Sequence, residues 1–161
     1  MPYNRWLEGW PMNIYKLINP VDGKVFYVGR TQRKLSYRLL GHLSAGRGHQ
    51  RGRINKKHSD FIGNILNTGQ SPIIELIDHV GEINSEDDFS FACYLEKFWI
   101  LKHIEMGLTL TNKKISCTME YIERQLTILK PHTSNSIYQL EYDYSAYKDT
   151  DPNYFGNNYF C

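Results

Sequence analysis

Cysteine is scarce in this chain: Cys93, Cys117 and Cys161 are the three among 161 residues, and they form neither an even-numbered framework nor a C-x-x-C pair. That count argues against a disulfide-stapled domain and a cysteine zinc site and points to a reducing compartment, so a cytoplasmic location is expected. Long apolar runs are missing too. Mean hydropathy is −0.51, and no stretch approaches the roughly 18 to 20 apolar residues of a membrane-spanning helix, which excludes such a helix and a membrane partner. The opening MPYNRWLEGWP has no uninterrupted apolar core of the kind a signal peptide needs. The length suits one domain and is short for two.

Acidic residues are scarce in one part of the chain. Residues 1–60 carry twelve Lys and Arg against Glu8, Asp22 and Asp60, a balance of +9, whereas residues 61–161 carry seven basic and fourteen acidic side chains, a balance of −7. The overall net charge of +2 hides this split. A basic first third is either a solvated charged face or a surface for a polyanion.

Met12 to Asn19 alternates Ile14, Lys16 and Ile18 with Tyr15 and Leu17 and reads as a strand. The Pro20 and Asp22-Gly23 turn signals follow, and Val25 to Gly29 resumes as a second strand, giving an antiparallel hairpin. From Lys34 to Ala45, Leu35, Leu39, Leu40 and Leu43 recur at helical spacing until Gly46. Residues 46–58, GRGHQRGRINKKH, hold three glycines and five Lys or Arg without periodicity and are expected to form a mobile basic loop. A helix over Asp60 to Thr68, a third strand over Ile73 to Val80 and a long helix over Glu86 to Glu105 follow, the last opened by a Ser85/Asp88 capping box. Residues 108–117 read as extended or irregular, and Met119 to Leu129 as a short helix before Pro131. Residues 132–161 hold six of the twelve tyrosines and few aliphatics, either a tail packed over the core or a partly disordered one.

On the long helix, Phe89, Ala92, Cys93, Glu96, Trp99, Ile100 and His103 share one face, which sets Glu96 in an apolar stripe. A carboxylate there needs a cation, a hydrogen-bonding partner or a metal ion; a structural salt bridge is the plain alternative. Arg38 and His42, four apart on the first helix, can hold a phosphate and move a proton, or can simply be a solvated face. Tyr15 and Tyr27 come from the two hairpin strands and can be cross-strand neighbours in a core or part of a site.

The ordered set Asn13-Ile14-Tyr15, Tyr27-Val28-Gly29, Arg38 with His42, Glu96 on a later helix and Asn112 after it resembles the GIY-YIG nuclease family. The resemblance covers residues 12–113, about two thirds of the chain, and departs from the family at Asn13, where the first motif has Gly. It implies an α+β fold, a small antiparallel three-stranded sheet flanked by helices, that hydrolyses phosphodiester bonds with one Mg²⁺ or Mn²⁺ per active site. Glu96 would be the one protein carboxylate on the metal, the rest of the shell being water and phosphate oxygens. The metal would neutralise the scissile phosphate and the leaving 3′ oxygen, while Arg38 stabilises the transition state. Tyr15 would receive the proton of the attacking water with help from His42, which requires a depressed phenol pKa. Tyr27 would position water or phosphate, Asn112 would brace the site, and Arg30 would contact phosphate.

The basic loop then supplies Arg47, Arg51, Arg53, Lys56 and Lys57 as contacts to the DNA backbone. The expected organisation is an N-terminal extension over 1–11, a nuclease domain over 12–130 and a Tyr-rich acidic tail over 131–161. The substrate expected is double-stranded DNA, with a homodimer for double-strand cleavage. The acidic remainder favours a stand-alone endonuclease of restriction, phage or mobile-element type over a homing enzyme. A catalytically weak nucleic-acid-binding module and a partner-binding protein acting through the tail are the other readings.

Overall fold

The computed structural model describes residues 6–49 and 55–129. Its elements are β1 (Trp10–Ile18), β2 (Val25–Thr31), α1 (Leu35–Gly46), α2 (Lys56–Asn67), β3 (Ile73–Ile83), α3 (Glu86–Glu105) and α4 (Met119–Ile128). The three strands form one antiparallel sheet in the order β2-β1-β3. The α+β class and the three-stranded sheet agree with expectation.

The hairpin closes through its own polar side chains. Asn19 Oδ1 accepts from Val21 N at 3.0 Å and Asp22 Oδ1 from Lys24 N at 2.9 Å, so both Asx residues satisfy turn amides the strands leave unpaired. β1 is the central strand and is buried on both faces. Met12 and Ile14 join a core with Val28, residues of α3 such as Leu95 and Phe98, and Ile122 and Leu126 of α4. Tyr15 and Leu17 join a second core with Leu43 of α1 and Ile62 and Ile65 of α2. The two-residue period of the strand thus divides the helices between opposite sheet faces.

α3 is capped by Ser85 Oγ, which accepts from Asp88 N at 3.1 Å, while Asp88 Oδ2 accepts from Asn84 N at 2.9 Å. Glu86, Asp87 and Asp88 in its first turn and Lys102 and His103 in its last complement the helix dipole. The expected single apolar stripe is too narrow: Phe91, Leu95 and Phe98 are fully buried outside it, because α4 covers a second side. Close packing also sets the α1/α2 crossing. A side chain at Gly46 would collide with Ile62, so this glycine is a packing residue as well as a helix stop.

The boundaries shift in three places. β1 starts two residues before Met12, and Trp6, ahead of it, stacks on Phe89 with ring centroids 5.1 Å apart; residues 6–11 therefore belong to the fold rather than to an extension. α2 begins at Lys56, because Asn55 caps it by accepting from His58 N at 3.2 Å, so the end of the expected basic loop is helical. β3 runs on to Ile83. The tail from 131 and residues 1–5 lie outside the described residues. No helix among the described residues is long and apolar enough to cross a membrane.

Candidate active site

β2 is an edge strand, and its outward backbone groups are met by the segment after α3. Thr111 N donates to Phe26 O at 2.7 Å. Asn112 then clamps one residue from both sides: its Oδ1 accepts from Val28 N at 3.0 Å and its Nδ2 donates to Val28 O at 2.7 Å. A side-chain amide thus stands in for a neighbouring strand, which brings the α3/α4 connection beside Tyr27.

Tyr15 pairs with Gly29 across the hairpin, and Leu17 with Tyr27. The two tyrosines are therefore diagonal neighbours on one face rather than directly opposed, with ring centroids 6.2 Å apart. A Cβ at Gly29 would stand 2.6 Å from Tyr15 Oη and 2.8 Å from Tyr27 Cε1. Only glycine leaves room for both phenols. Asn13 needs no such freedom, since among the described residues none other than glycine has a positive φ; its Oδ1 instead meets His79 Nδ1 of β3 at 2.5 Å.

Tyr15 Oη lies 2.7 Å from His42 Nε2 and accepts from Arg38 Nε at 2.9 Å. His42 Nδ1 lies 2.9 Å from His58 Nε2, and His58 Nδ1 lies 2.6 Å from Thr111 Oγ1. Thr111 Oγ1 in turn donates to the carbonyl of Phe26 at 3.2 Å. Assigning the Thr111 proton to the Phe26 carbonyl, which only accepts, orders the whole chain. The Thr111 hydroxyl spends its proton on Phe26, so His58 Nδ1–H donates to Thr111 and His58 Nε2 is bare. That nitrogen accepts from His42 Nδ1–H, leaving His42 Nε2 bare toward the phenol of Tyr15.

Ionisation agrees with these assignments. Burial, then Arg38 and His58, pushes His42 down to about 3, and burial with Arg38 pushes His58 down to about 4. Both imidazoles are neutral at pH 7. Burial, with Tyr27 adding, raises Tyr15 above the usual phenol value despite Arg38 pulling the other way. Within the protein alone, desolvation outweighs the guanidinium, so Arg38 by itself does not supply the depressed phenol that the resemblance requires.

Glu96 is half-buried on α3 and ion-paired with Arg30 of β2. Burial raises its carboxyl and Arg30 offsets only part of that. Arg30, expected at a phosphate, is thus held by Glu96 and lies 5.6 Å from the Phe89 ring centroid. Tyr27, Arg38, His42, Glu96 and Asn112 all line one cavity of about 410 Å³, together with Lys97, Lys113 and Lys114. A second, more open cavity of about 940 Å³ adjoins it and shares Tyr27, Arg38, Gly41 and Glu96. Glu96 is the sole carboxylate of the described residues lining either half.

The other basic residues lie elsewhere. Arg47 is exposed at the end of α1, Lys56 pairs with Asp60 at 2.7 Å, and Lys57 donates to Leu110 O at 3.1 Å. Arg51 and Arg53 lie outside the described residues. His58, Thr111, Lys97, Lys113 and Lys114 were not singled out from the sequence. The lysines adjoin Glu96 and Asn112 in sequence, which is the signal that could have found them, whereas His58 was hidden in the basic loop.

Among the described residues no three His, Cys, Asp or Glu side chains converge to hold a metal. One carboxylate in a solvent-accessible basic cleft fits Mg²⁺, which keeps most of its shell as water and phosphate oxygens. Comparison with known proteins returns no matching family model, no matching curated protein and no matching solved structure.

Proposed function

We propose that the chain is a divalent-metal-dependent endonuclease of the GIY-YIG type, hydrolysing phosphodiester bonds in DNA within this cleft. The observation that carries it is Tyr15 Oη, buried behind the cleft wall and held between His42 Nε2 and Arg38 Nε, whose side chains line a cleft with Glu96 as the one carboxylate among the described residues. A phosphate has cations to meet there in Arg38, Lys97, Lys113 and Lys114.

Glu96 would hold Mg²⁺ or Mn²⁺, once Arg30 turns to a phosphate. A bound ion supplies charge neutralisation at the scissile phosphate and the leaving oxygen. Tyr15 stays protonated before reaction and works as a relay rather than as a phenolate base. Its oxygen takes a proton from the attacking water while its own proton passes to the bare Nε2 of His42. A phosphate paired with Arg38 offsets that guanidinium's share of the depression of His42, which raises its basicity toward the working range. Arg38 also faces the charge that grows on the phosphoryl oxygens.

The test is supercoiled plasmid incubated with the purified chain and Mg²⁺ or Mn²⁺. Nicked or linear product that disappears with chelator is expected. The second reading, a catalytically weak nucleic-acid-binding module, is favoured by the Arg30–Glu96 ion pair, which neutralises the carboxylate internally. Binding without cutting under every divalent ion selects that reading.

A further inference from the structure

The two halves of the cleft meet at Tyr27, Arg38, Gly41 and Glu96, but their walls differ in chemistry. The smaller half has Lys97, Lys113, Lys114 and Ser59 on its walls. The larger half is walled by Trp6, Tyr37, Leu40 and Phe89, with Arg30 and Arg33 among them. Lysines suit phosphates. An aromatic wall does not, since sugar and phosphate have no π face to offer it, whereas every base does.

Tyr37 is the most accessible of these aromatics at 58% exposure. The guanidinium of Arg33 lies 5.1 Å from its ring centroid, pairing a cation with a flat ring as nucleotide-binding surfaces do. Trp6 stacks on Phe89 further along the same wall. In an intact duplex both faces of each base are covered by its neighbours, so these rings would face only backbone. A volume of about 940 Å³, more than twice that of the basic half, leaves room for a base beside its sugar and phosphate.

We propose that the aromatic half binds an unpaired base adjacent to the scissile phosphate, stacked on Tyr37, with Arg33 on the neighbouring phosphate. The substrate class is then a strand with at least one unpaired nucleotide at the cleavage site, a single strand or flap, rather than a uniform duplex. This rests on the phosphodiesterase reading of the same cleft.

The experiment has a binding arm and a cleavage arm. In the first, the Glu96→Gln protein is titrated with single-stranded oligonucleotides carrying 2-aminopurine at successive positions. Fluorescence quenching confined to one or two positions is expected. Adding Tyr37→Ala should remove that quenching and weaken binding about 5- to 150-fold, the range of one lost base–aromatic stack, and Tyr37→Phe should restore both. In the second arm, the wild type with Mg²⁺ should cut the single strand at least ~10-fold faster than a fully paired duplex with hairpin-closed ends. Unchanged quenching and affinity in Tyr37→Ala overturn the inference, as does equal cutting of the closed duplex. If no substrate is cut, the phosphodiesterase reading falls, and the binding arm still decides whether Tyr37 is a base platform.

Discussion

The phenol of Tyr15 occupies the space that any side chain at residue 29 would need: a Cβ there would lie 2.6 Å from Tyr15 Oη and 2.7 Å from Cζ. Gly29→Ala must displace a fully buried tyrosine that His42 and Arg38 hold in place. Overpacking of this kind costs about 1–3 kcal/mol, and a misplacement on the order of 1 Å at a reacting group costs about 100-fold in rate. Thermal unfolding and single-turnover cleavage measure the two effects. A variant with wild-type rate would show that the Tyr15 position is not critical.

Tyr15→Phe removes the relay oxygen and leaves the ring. Cleavage is expected to fall about 100- to 10,000-fold, the usual contribution of a positioned proton-transfer group, with little change in DNA affinity, because the proton moves only during reaction. Equal losses in binding and cleavage would make Tyr15 a structural residue.

His58 holds the tautomer of His42 rather than touching the reacting atoms. His58→Ala frees His42 to carry its proton on Nε2 and should lower kcat by at least ~10-fold, a scale seen when a group orienting a histidine is lost. KM should change little. His58→Gln, whose carbonyl oxygen can accept from His42 Nδ1–H, should recover most of the rate. A merely space-filling role predicts no such difference between Ala and Gln.

The two histidines also set a pH dependence of folding. Their ordinary value is 6.5, and in the fold they lie at about 3 and about 4. Below pH 6.5 the unfolded chain binds protons that the folded chain refuses, so this contribution is fully present above about pH 6.5 and is lost as pH falls through 4 toward 3. Urea unfolding at stepped pH should show it, with a shallower slope in His58→Gln. An equal slope in both proteins contradicts the assignment.

Much of this arrangement was legible in the sequence, and the misses have physical causes. The hairpin and the long helix could be found because strand and helix periods and the turn signals act locally, whereas the ordered Tyr15, Tyr27, Arg38, His42, Glu96 and Asn112 were picked out by their resemblance to the GIY-YIG pattern. The pairing of Tyr15 with Gly29 depends on hairpin register, which spacing alone does not fix. Burial of Phe91, Leu95 and Phe98 depends on α4, an element more than a dozen residues further along. His58 went unnoticed because a capped helix start resembles a basic loop when its one capping residue, Asn55, is read as polar filler. The phenol ionisation was misjudged because nearby cations are visible in a sequence, whereas desolvation exists only in the packed fold.

The role of Glu96 tests the account most directly. The measurement is the single-turnover cleavage rate of a labelled strand by wild type and by Glu96→Gln across a Mg²⁺ titration. The account predicts metal-dependent cutting by the wild type and a loss of at least ~1,000-fold in Glu96→Gln, with DNA binding retained. Undiminished, metal-saturable cleavage by Glu96→Gln would contradict it.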